Sequence, residues 1–326
     1  MPVAVMLRPS KRAYPLSWRL LDAAEAAVGL IRPKRPELVV PALFLAPAIL
    51  LVAVLVWGLV DMASDSLHVL DTATFLPAEA MSLGNYAQLI DRPIYATVIW
   101  RSLLAGVIVT AATLLLAFPY AYVMVRTSSP VVRRVLLISL FLPFFIGQVV
   151  RAYGWLIILG AKGIVNGAIT GLGFEPLKLI YTYETILFGL VQYMLPFAVL
   201  LIAPAITAIG EEVEMAASSL GANWWRGFAT VVLPMARPGL IAAGVVVFTL
   251  TLTDFAIPNI LGGGTNDFAA NAIYDAFFRI SDSGLGAALA IVLTFLGSTI
   301  VGIILAIAGA GTLGMGGRAS AKGGGA

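Results

Sequence analysis

The sequence predicts an all-α, polytopic membrane protein with six transmembrane helices. Three observations support this: a charge-poor composition, apolar runs of spanning length, and basic residues gathered on one side of those runs. Of 326 residues, 60% are hydrophobic and 11% charged, and the mean hydropathy is +0.98. A soluble domain carries about 25% charged residues, so this chain lacks the polar side chains to cover a globular surface. A soluble enzyme is thereby excluded. With no cysteine and a single histidine, disulfides, thiolate metal sites, multi-histidine metal sites and Ser-His-Asp catalysis are excluded as well. His68 reads as a solvated residue outside the membrane. The net charge of +3 and pI near 9.2 do not point to nucleic acid.

A transmembrane helix needs about 20 mainly apolar residues. Six segments qualify: Leu38–Val60, Trp100–Val125, Val135–Ile158, Thr185–Ile209, Pro238–Ile260 and Gly286–Ala310. The third and fifth are the least uniform, because each holds polar residues and prolines. Lys and Arg in the connections set the orientation. Arg8, Lys11, Arg12, Arg19, Arg32, Lys34 and Arg35 precede the first span, and Arg126, Arg133, Arg134, Arg226, Arg237, Arg318 and Lys322 lie on the same side, fourteen in all. Arg92, Arg101, Arg151, Lys162, Lys178 and Arg279 make six on the other. The excess places both termini in the cytoplasm.

Residues 1–37 form a cytoplasmic N-terminal segment whose basic region is too long for a cleavable signal. Within it Trp18, Leu20, Leu21, Ala24, Val28 and Ile31 could line one face of an interfacial helix, with a disordered tail before Arg32-Pro33-Lys34-Arg35-Pro36 as the alternative. Residues 38–310 hold the six-helix domain, and the glycine-rich residues 311–326 read as a flexible cytoplasmic tail. The first outer loop is acidic, with Asp61, Asp65, Asp71, Glu79 and Asp91, and long enough for short helices. The last begins with Gly262-Gly263-Gly264, which permits a sharp reversal. Ile273, Tyr274, Phe277 and Phe278 follow, on an aromatic helix along the interface. Trp155, Tyr181 and Tyr183 fit the same aromatic belt.

The connection between the fourth and fifth spans, residues 210–234, differs from a tether. Glu211, Glu212 and Glu214 open a helix-favouring stretch, where a helix N-terminus favours negative charge. Small residues Ala216, Ala217, Ser218 and Ser219 allow another backbone to approach closely. Gly221 turns the helix, a second short helix begins near Asn223, and Pro234 ends it. A knob that fits a socket and an amphipathic hairpin anchored in lipid by Trp224, Trp225 and Phe228 both satisfy this pattern.

Spacing separates them. Ala216-Ala217, Leu220-Gly221-Ala222 and Leu233-Pro234 resemble the EAA loop of permease subunits of bacterial ABC importers. The glutamate of that motif falls at Met215 here, and the nearest carboxylate, Glu214, stands one position earlier. Further segments resemble the spermidine/putrescine branch of these permeases: Pro143-Phe144-Phe145, Val150-Arg151-Ala152-Tyr153-Gly154-Trp155, Gly163-Ile164-Val165-Asn166, Leu195-Pro196-Phe197, Asp254-Phe255-Ala256-Ile257-Pro258, Leu261-Gly262-Gly263-Gly264 and Ile273-Tyr274. The resemblance covers about residues 40–310. It implies a type I ABC importer permease fold, a small polar solute such as a polyamine, and residues 210–234 as the coupling loop that docks on a cytoplasmic ATPase. Relatives of this branch also handle ferric ion, phosphonates and other small polar solutes, amino-acid-like compounds among them.

The same resemblance implies two ATPase subunits that bind ATP and Mg, a second permease subunit of related sequence, and a periplasmic solute-binding protein at a bacterial inner membrane. The chain itself carries no phosphate-cradling Gly-x-x-x-x-Gly-Lys-Ser/Thr loop, so no catalytic residue and no cofactor of its own is expected. Polar groups at membrane depth mark a pathway. Asp254 lies some sixteen residues into the fifth span, roughly 24 Å along a helix rising 1.5 Å per residue, where it could meet a cationic solute, cap the helix before Pro258, or pair with a neighbour's base. Gln148, Arg151, Tyr153 and Trp155 of the third span and Gln192 and Tyr193 of the fourth complete the candidate pathway. Arg151 could equally snorkel or pair with an acid, and Pro196 points to a kink. An ATP-independent carrier or channel is the rival reading, and it leaves the Leu220-Gly221-Ala222 spacing to chance. Buried carboxylates are too few for a metal pair in a membrane-embedded enzyme.

Overall fold

The computed structural model describes residues 36–308 apart from Thr72 and Phe75. The N-terminal segment before Pro36, with its expected interfacial helix, and the glycine-rich tail after Ala308 lie outside the described residues. The chain divides into two units at Asp61/Met62. The first ends in most of helix α1 (Pro36–Asp65), whose apolar side chains from Phe44 to Val60 are exposed. It covers the first expected span, Leu38–Val60.

In the second unit a two-stranded antiparallel hairpin comes first, β1 (His68–Asp71) and β2 (Leu76–Met81), followed by α2 (Gly84–Asp91). The hairpin stands where only short helices were expected. Asp71 closes its turn by accepting from the Ala73 amide at 2.9 Å and the Thr74 hydroxyl at 3.0 Å, which holds the carboxyl below its ordinary pKa. Buried Asn85 of α2 donates to the carbonyls of Ser66 and His68 at 3.0 and 2.9 Å, tying helix to strand.

The remaining elements are α3 (Pro93–Arg126), α4 (Pro130–Phe145), α5 (Gln148–Leu159), α6 (Ile164–Gly171), α7 (Tyr183–Thr207) and α8 (Glu211–Ser219). After these come α9 (Trp224–Gly227), a π turn (Phe228–Val232), α10 (Leu233–Met235), α11 (Arg237–Leu252), α12 (Ala256–Gly262), α13 (Ala269–Phe278) and α14 (Ser283–Ala308). Helices α3, α7 and α14 correspond to the second, fourth and sixth expected spans, extended or shortened by a few residues.

Two expected spans are not single helices. Val135–Ile158 is split, because Ile146 and Gly147 adopt extended dihedrals between α4 and α5. The spanning-length stretch here is instead Gln148–Gly171, made of α5 and α6 joined by a turn at residues 160–163. Pro143, three residues before the break, leaves the last turn of α4 short of an amide donor. Pro238–Ile260 is split at Thr253–Phe255, between α11 and α12. At its other end the segment Trp224–Met235 meets α11 at 70°. Among the described residues five helices are long and apolar enough to cross a membrane, and six if that bent pair counts as one crossing.

Helices α3, α7 and α11 pack on one another along most of their lengths. Their shared core is built from Ala105, Val109, Ala117 and Ala121 of α3, Ile186 to Ile206 on one face of α7, and Ala243 and Val247 of α11, all fully buried. Lipid tails are as apolar as these side chains, so association rests on close van der Waals contact between small residues rather than on expulsion of water. Gly106 lies under the Phe248 ring and Gly239 against Ala205, where an added Cβ would stand 2.8 and 2.5 Å from the neighbouring atom. Since Leu201 O and Ile202 Cα also lie within 3.5 Å of that point, the backbone of α7 has no room to give. Gly239→Ala is therefore expected to lower stability by about 1–3 kcal/mol, read as a lower midpoint in thermal unfolding of the detergent-purified protein.

Candidate functional site

At the Arg126 end of the bundle, α8 and α9 form a helix-turn-helix that closes itself through backbone geometry. Glu211, Glu212 and Glu214 occupy the first turn of α8, complementing its amide end. The helix ends in a Schellman turn: Ala222 N donates to Ala217 O at 3.1 Å, and Gly221 N to Ser218 O at 3.0 Å. Gly221 takes φ +86°, a conformation glycine adopts without steric cost. Asn223 then caps α9, its Oδ1 accepting from Arg226 N at 2.9 Å. These are the turn and the second helix that the sequence indicates.

Pro234 does not end that second helix. The helix widens into the π turn, where Leu233 N donates to Phe228 O, and runs on through Pro234 to Met235. A proline ring clashes with the carbonyl four residues earlier, here Thr230 O, and the wider turn relieves that clash.

One face of the loop packs and the other does not. Trp224 stacks on Phe228 at 5.3 Å, and Tyr122 and Phe118 of α3 meet the Phe228 ring edge-on at 5.1 and 5.0 Å. A cleft of about 230 Å³ opens between the two short helices, lined by Tyr122, Glu214, Ser218, Asn223, Trp224 and Phe228 among others. On α8 no residue is fully buried. Met215, Ala216 and Leu220 are exposed, Leu220 at 89%, while Ala217 and Ala222 are half-buried. Leu233 is 38% exposed. Met215, Ala216 and Leu220 thus sit on a rigid projection, exposed among the described residues.

Glu214 points inward. Its Oε1 accepts from Arg126 Nε at 2.8 Å and its Oε2 from the Tyr122 hydroxyl at 2.6 Å. Sequence reading placed Glu214 in the loop but counted Arg126 only as one of the basic residues that set orientation. Nothing local marks the pair, which is 88 residues apart.

The candidate pathway residues gather at the breaks in the third and fifth spans. Gln148, the first residue of α5, donates through Nε2 to Asp254 Oδ2, so the two interrupted spans meet through one hydrogen bond. Asp254 Oδ1 accepts from Ile257 N at 2.9 Å, capping the segment before Pro258. The carboxylate is 8% exposed. Gln148, Arg151, Trp155, Gln192 and Tyr193 line one narrow cleft with Gly189, Ile257 and Leu261, of about 10 Å³, room for a single water. Arg151 lies over the Tyr193 ring, 5.2 Å from its centroid, and donates to Ile146 O at 3.3 Å. Neither ion pair found among the described residues involves it. Trp155 meets Phe188 edge-on at 4.7 Å. Tyr153 is 53% exposed and does not join the cleft.

Beyond the cleft, Gly263 and Gly264 reverse the chain with φ +56° and +75°. The aromatic helix expected after the reversal is α13, where Phe255, Tyr274 and Phe278 form a tilted stack with centroids 4.7 and 4.9 Å apart. Beside it, burial first and then the neighbouring Asp275 push the Asp267 carboxyl above its ordinary pKa. Among the described residues no group of His, Cys, Asp or Glu is arranged to hold a metal ion.

Known proteins resemble this chain in family, in sequence and in fold. The family model described as binding-protein-dependent transport system inner membrane component matches residues 112–312. The spermidine/putrescine transport system permease protein PotB of Haemophilus influenzae is 33% identical over 223 residues, 68% of this chain and 77% of the relative. Its namesake in Escherichia coli K12 is 32% identical over 239 residues, 73% and 84% of the two chains. The sulfoquinovosyl glycerol transport system permease protein SmoG of Agrobacterium fabrum is 26% identical over 318 residues, 94% and 98% of the two chains. A chain of the bacterial alginate ABC transporter, solved with an alginate-bound periplasmic protein, superposes with a TM-score of 0.71 at 16% identity, covering 85% of this chain and 96% of that one; this likeness is one of fold.

The geometry of the loop gives its own expectation. Gly221→Ala forces a side chain into the left-handed region at a cost of about 1–2 kcal/mol, and amides of residues 211–222 are expected to exchange hydrogen faster while those of α7 do not.

Proposed function

The chain belongs to the binding-protein-dependent transport system inner membrane components, the permease subunits of ABC importers, and from that premise we propose that it forms half of a solute pathway driven through residues 210–234 by a separate ATPase. The observation that carries the reading is the self-closed α8–α9 projection with exposed Met215, Ala216 and Leu220. A rigid helix pair presenting small and apolar groups suits insertion into a groove on another protein. A flexible tether could not transmit displacement. Two ATPase subunits would bind ATP and Mg and hydrolyse the nucleotide, so this chain acts as a transport subunit. A second, related permease subunit would supply the facing half of the pathway, and a periplasmic binding protein would deliver the solute. Alternating access around a site between interrupted helices is the mechanism such an arrangement supports.

For the solute we propose a polyamine such as spermidine or putrescine. Similarity to the PotB proteins supports it, as does the placement of Asp254 and Tyr193 beside one cleft, a carboxylate and an aromatic face that suit an ammonium group. In the structure Asp254 is occupied by Gln148 and Ile257 N. A solute would take the place of Gln148. One observation favours a second reading: Arg151 in the same cleft has no carboxylate partner among the described residues, which suits a solute carrying an anionic group, such as a phosphonate. The excess of Lys and Arg on the loop side supports cytoplasmic placement of both termini and of residues 210–234.

Three measurements test these proposals. Gentle detergent purification through a tag on this chain is expected to recover an ATPase and a further permease; recovery of the folded chain alone would return the carrier or channel reading to first place. In intact cells the strain carrying the gene is expected to accumulate labelled spermidine, and Asp254→Asn to reduce that uptake about tenfold or more, the loss of one charged contact. Uptake unchanged by deletion of the gene would remove polyamines. For orientation, Ser10→Cys and Ser320→Cys are expected to react with an impermeant maleimide only after the membrane is opened.

A further inference from the structure

Arg126 occupies the last position of α3, and its guanidinium reaches two other elements at once. Nε donates to Glu214 Oε1 on α8 at 2.8 Å. Nη2 donates to Ile209 O at 2.6 Å, two residues past the end of α7, and to Ile206 O at 3.3 Å in its last turn, a carbonyl that also accepts from Ile209 N at 3.1 Å. One turn back on α3, the Tyr122 hydroxyl holds the second oxygen of Glu214 at 2.6 Å. The pair is sheltered, with side chains 14% and 21% exposed, so water competes less for it than for a surface ion pair.

Glu214 is the one described side chain of α8 whose hydrogen bonds leave the loop. Ser218 and Ser219 both donate to Met215 O within the helix. No apolar side chain of α8 is buried, so packing alone does not fix its rotation. The aromatic cluster of Trp224 and Phe228 anchors α9 and the π turn, on the far side of Gly221. A planar guanidinium with a fixed fork of donors can bind a carboxylate and a helix end in one geometry, as a lysine cannot.

We propose that Arg126 is a positioning residue: a joint that locks α8 to the ends of α3 and α7, so that a displacement of α8 moves both spanning helices together. The inference rests on the reading of residues 210–234 as the coupling loop. It assigns the joint to a residue outside that loop, and it makes Glu214 an internal strut rather than a contact to the ATPase. Asp and Lys at these positions would each lose one arm of it. The exposed apolar groups that remain for the partner are Val213, Met215, Ala216 and Leu220.

The chain has no cysteine, so spin labels can be placed at chosen sites without removing native thiols. Ser219→Cys on α8 and Val131→Cys on α4, both exposed, report the angle between the loop and the bundle as a distance distribution. The measurement is made on the full assembly recovered through a tag on this chain, in nanodiscs. A single narrow peak is expected with Arg126 present. Arg126→Ala and Glu214→Gln are each expected to broaden it at least about twofold while the ATPase stays bound, with Arg126→Lys between, since lysine keeps the charge without the fork. ATP hydrolysis by the assembly should persist in these variants while uptake of labelled spermidine in cells falls about tenfold. Widths unchanged in both Arg126→Ala and Glu214→Gln would overturn the proposal, and so would loss of the ATPase with the width preserved, which would make the pair a docking contact. Should Arg126→Ala fail to fold, Glu214→Gln, nearly isosteric, decides alone. If the unaltered chain retains no ATPase, the coupling reading fails, and the width comparison on that chain still decides whether the joint exists.

Discussion

The contact among α3, α7 and α11 is the constraint on which the rest depends. In water, burying the apolar faces of these helices would itself drive them together. In a bilayer it does not, and attraction comes from surfaces that fit at short range. That requirement explains the alanines and glycines that stand on the seam at Ala105, Gly106, Ala117, Ala121, Gly239 and Ala243. It also explains where polar structure is allowed. Away from the seam α4, α5 and α12 can be interrupted and can carry Gln148, Arg151 and Asp254, because the three packed helices hold their ends at fixed places.

The two interruptions belong together. Freed backbone at membrane depth must find partners or line a cavity. Here Asp254 accepts the Ile257 amide, and Gln148 bridges the breaks by donating to the same carboxylate. One side chain thus caps a helix and joins two spans. Such a carboxylate is both a structural bond and the group a cation would have to loosen, and the two roles compete for the same oxygens.

Much of this was legible in the sequence, for identifiable reasons. Composition and run length give the fold class because a membrane imposes a length on every crossing. Gly221 and Asn223 announce the turn and the second helix because left-handed backbone and unpaired amides select those residues locally. The breaks at Gly147 and Thr253 were only half legible: Pro143, Gln148 and Asp254 make the third and fifth spans uneven, but only the neighbours decide whether a helix continues. The Arg126–Glu214 pair was hidden by distance along the chain, and Glu214 looked displaced from its motif. The hairpin at β1 and β2 was missed because strands of four and six residues leave little periodicity to read.

The π turn at Phe228–Val232 has a consequence of phase. An α-helix advances about 100° per residue, and a π turn absorbs one residue beyond the α-helical count without adding a turn. The extra residue rotates everything before it relative to everything after it. Trp224 and Phe228 therefore face Tyr122 because of that single residue. A deletion of one residue here would restore α-helical register between α9 and α10 and swing the aromatic anchor about a quarter turn away from α3. This short stretch tolerates changes of side chain far better than changes of length.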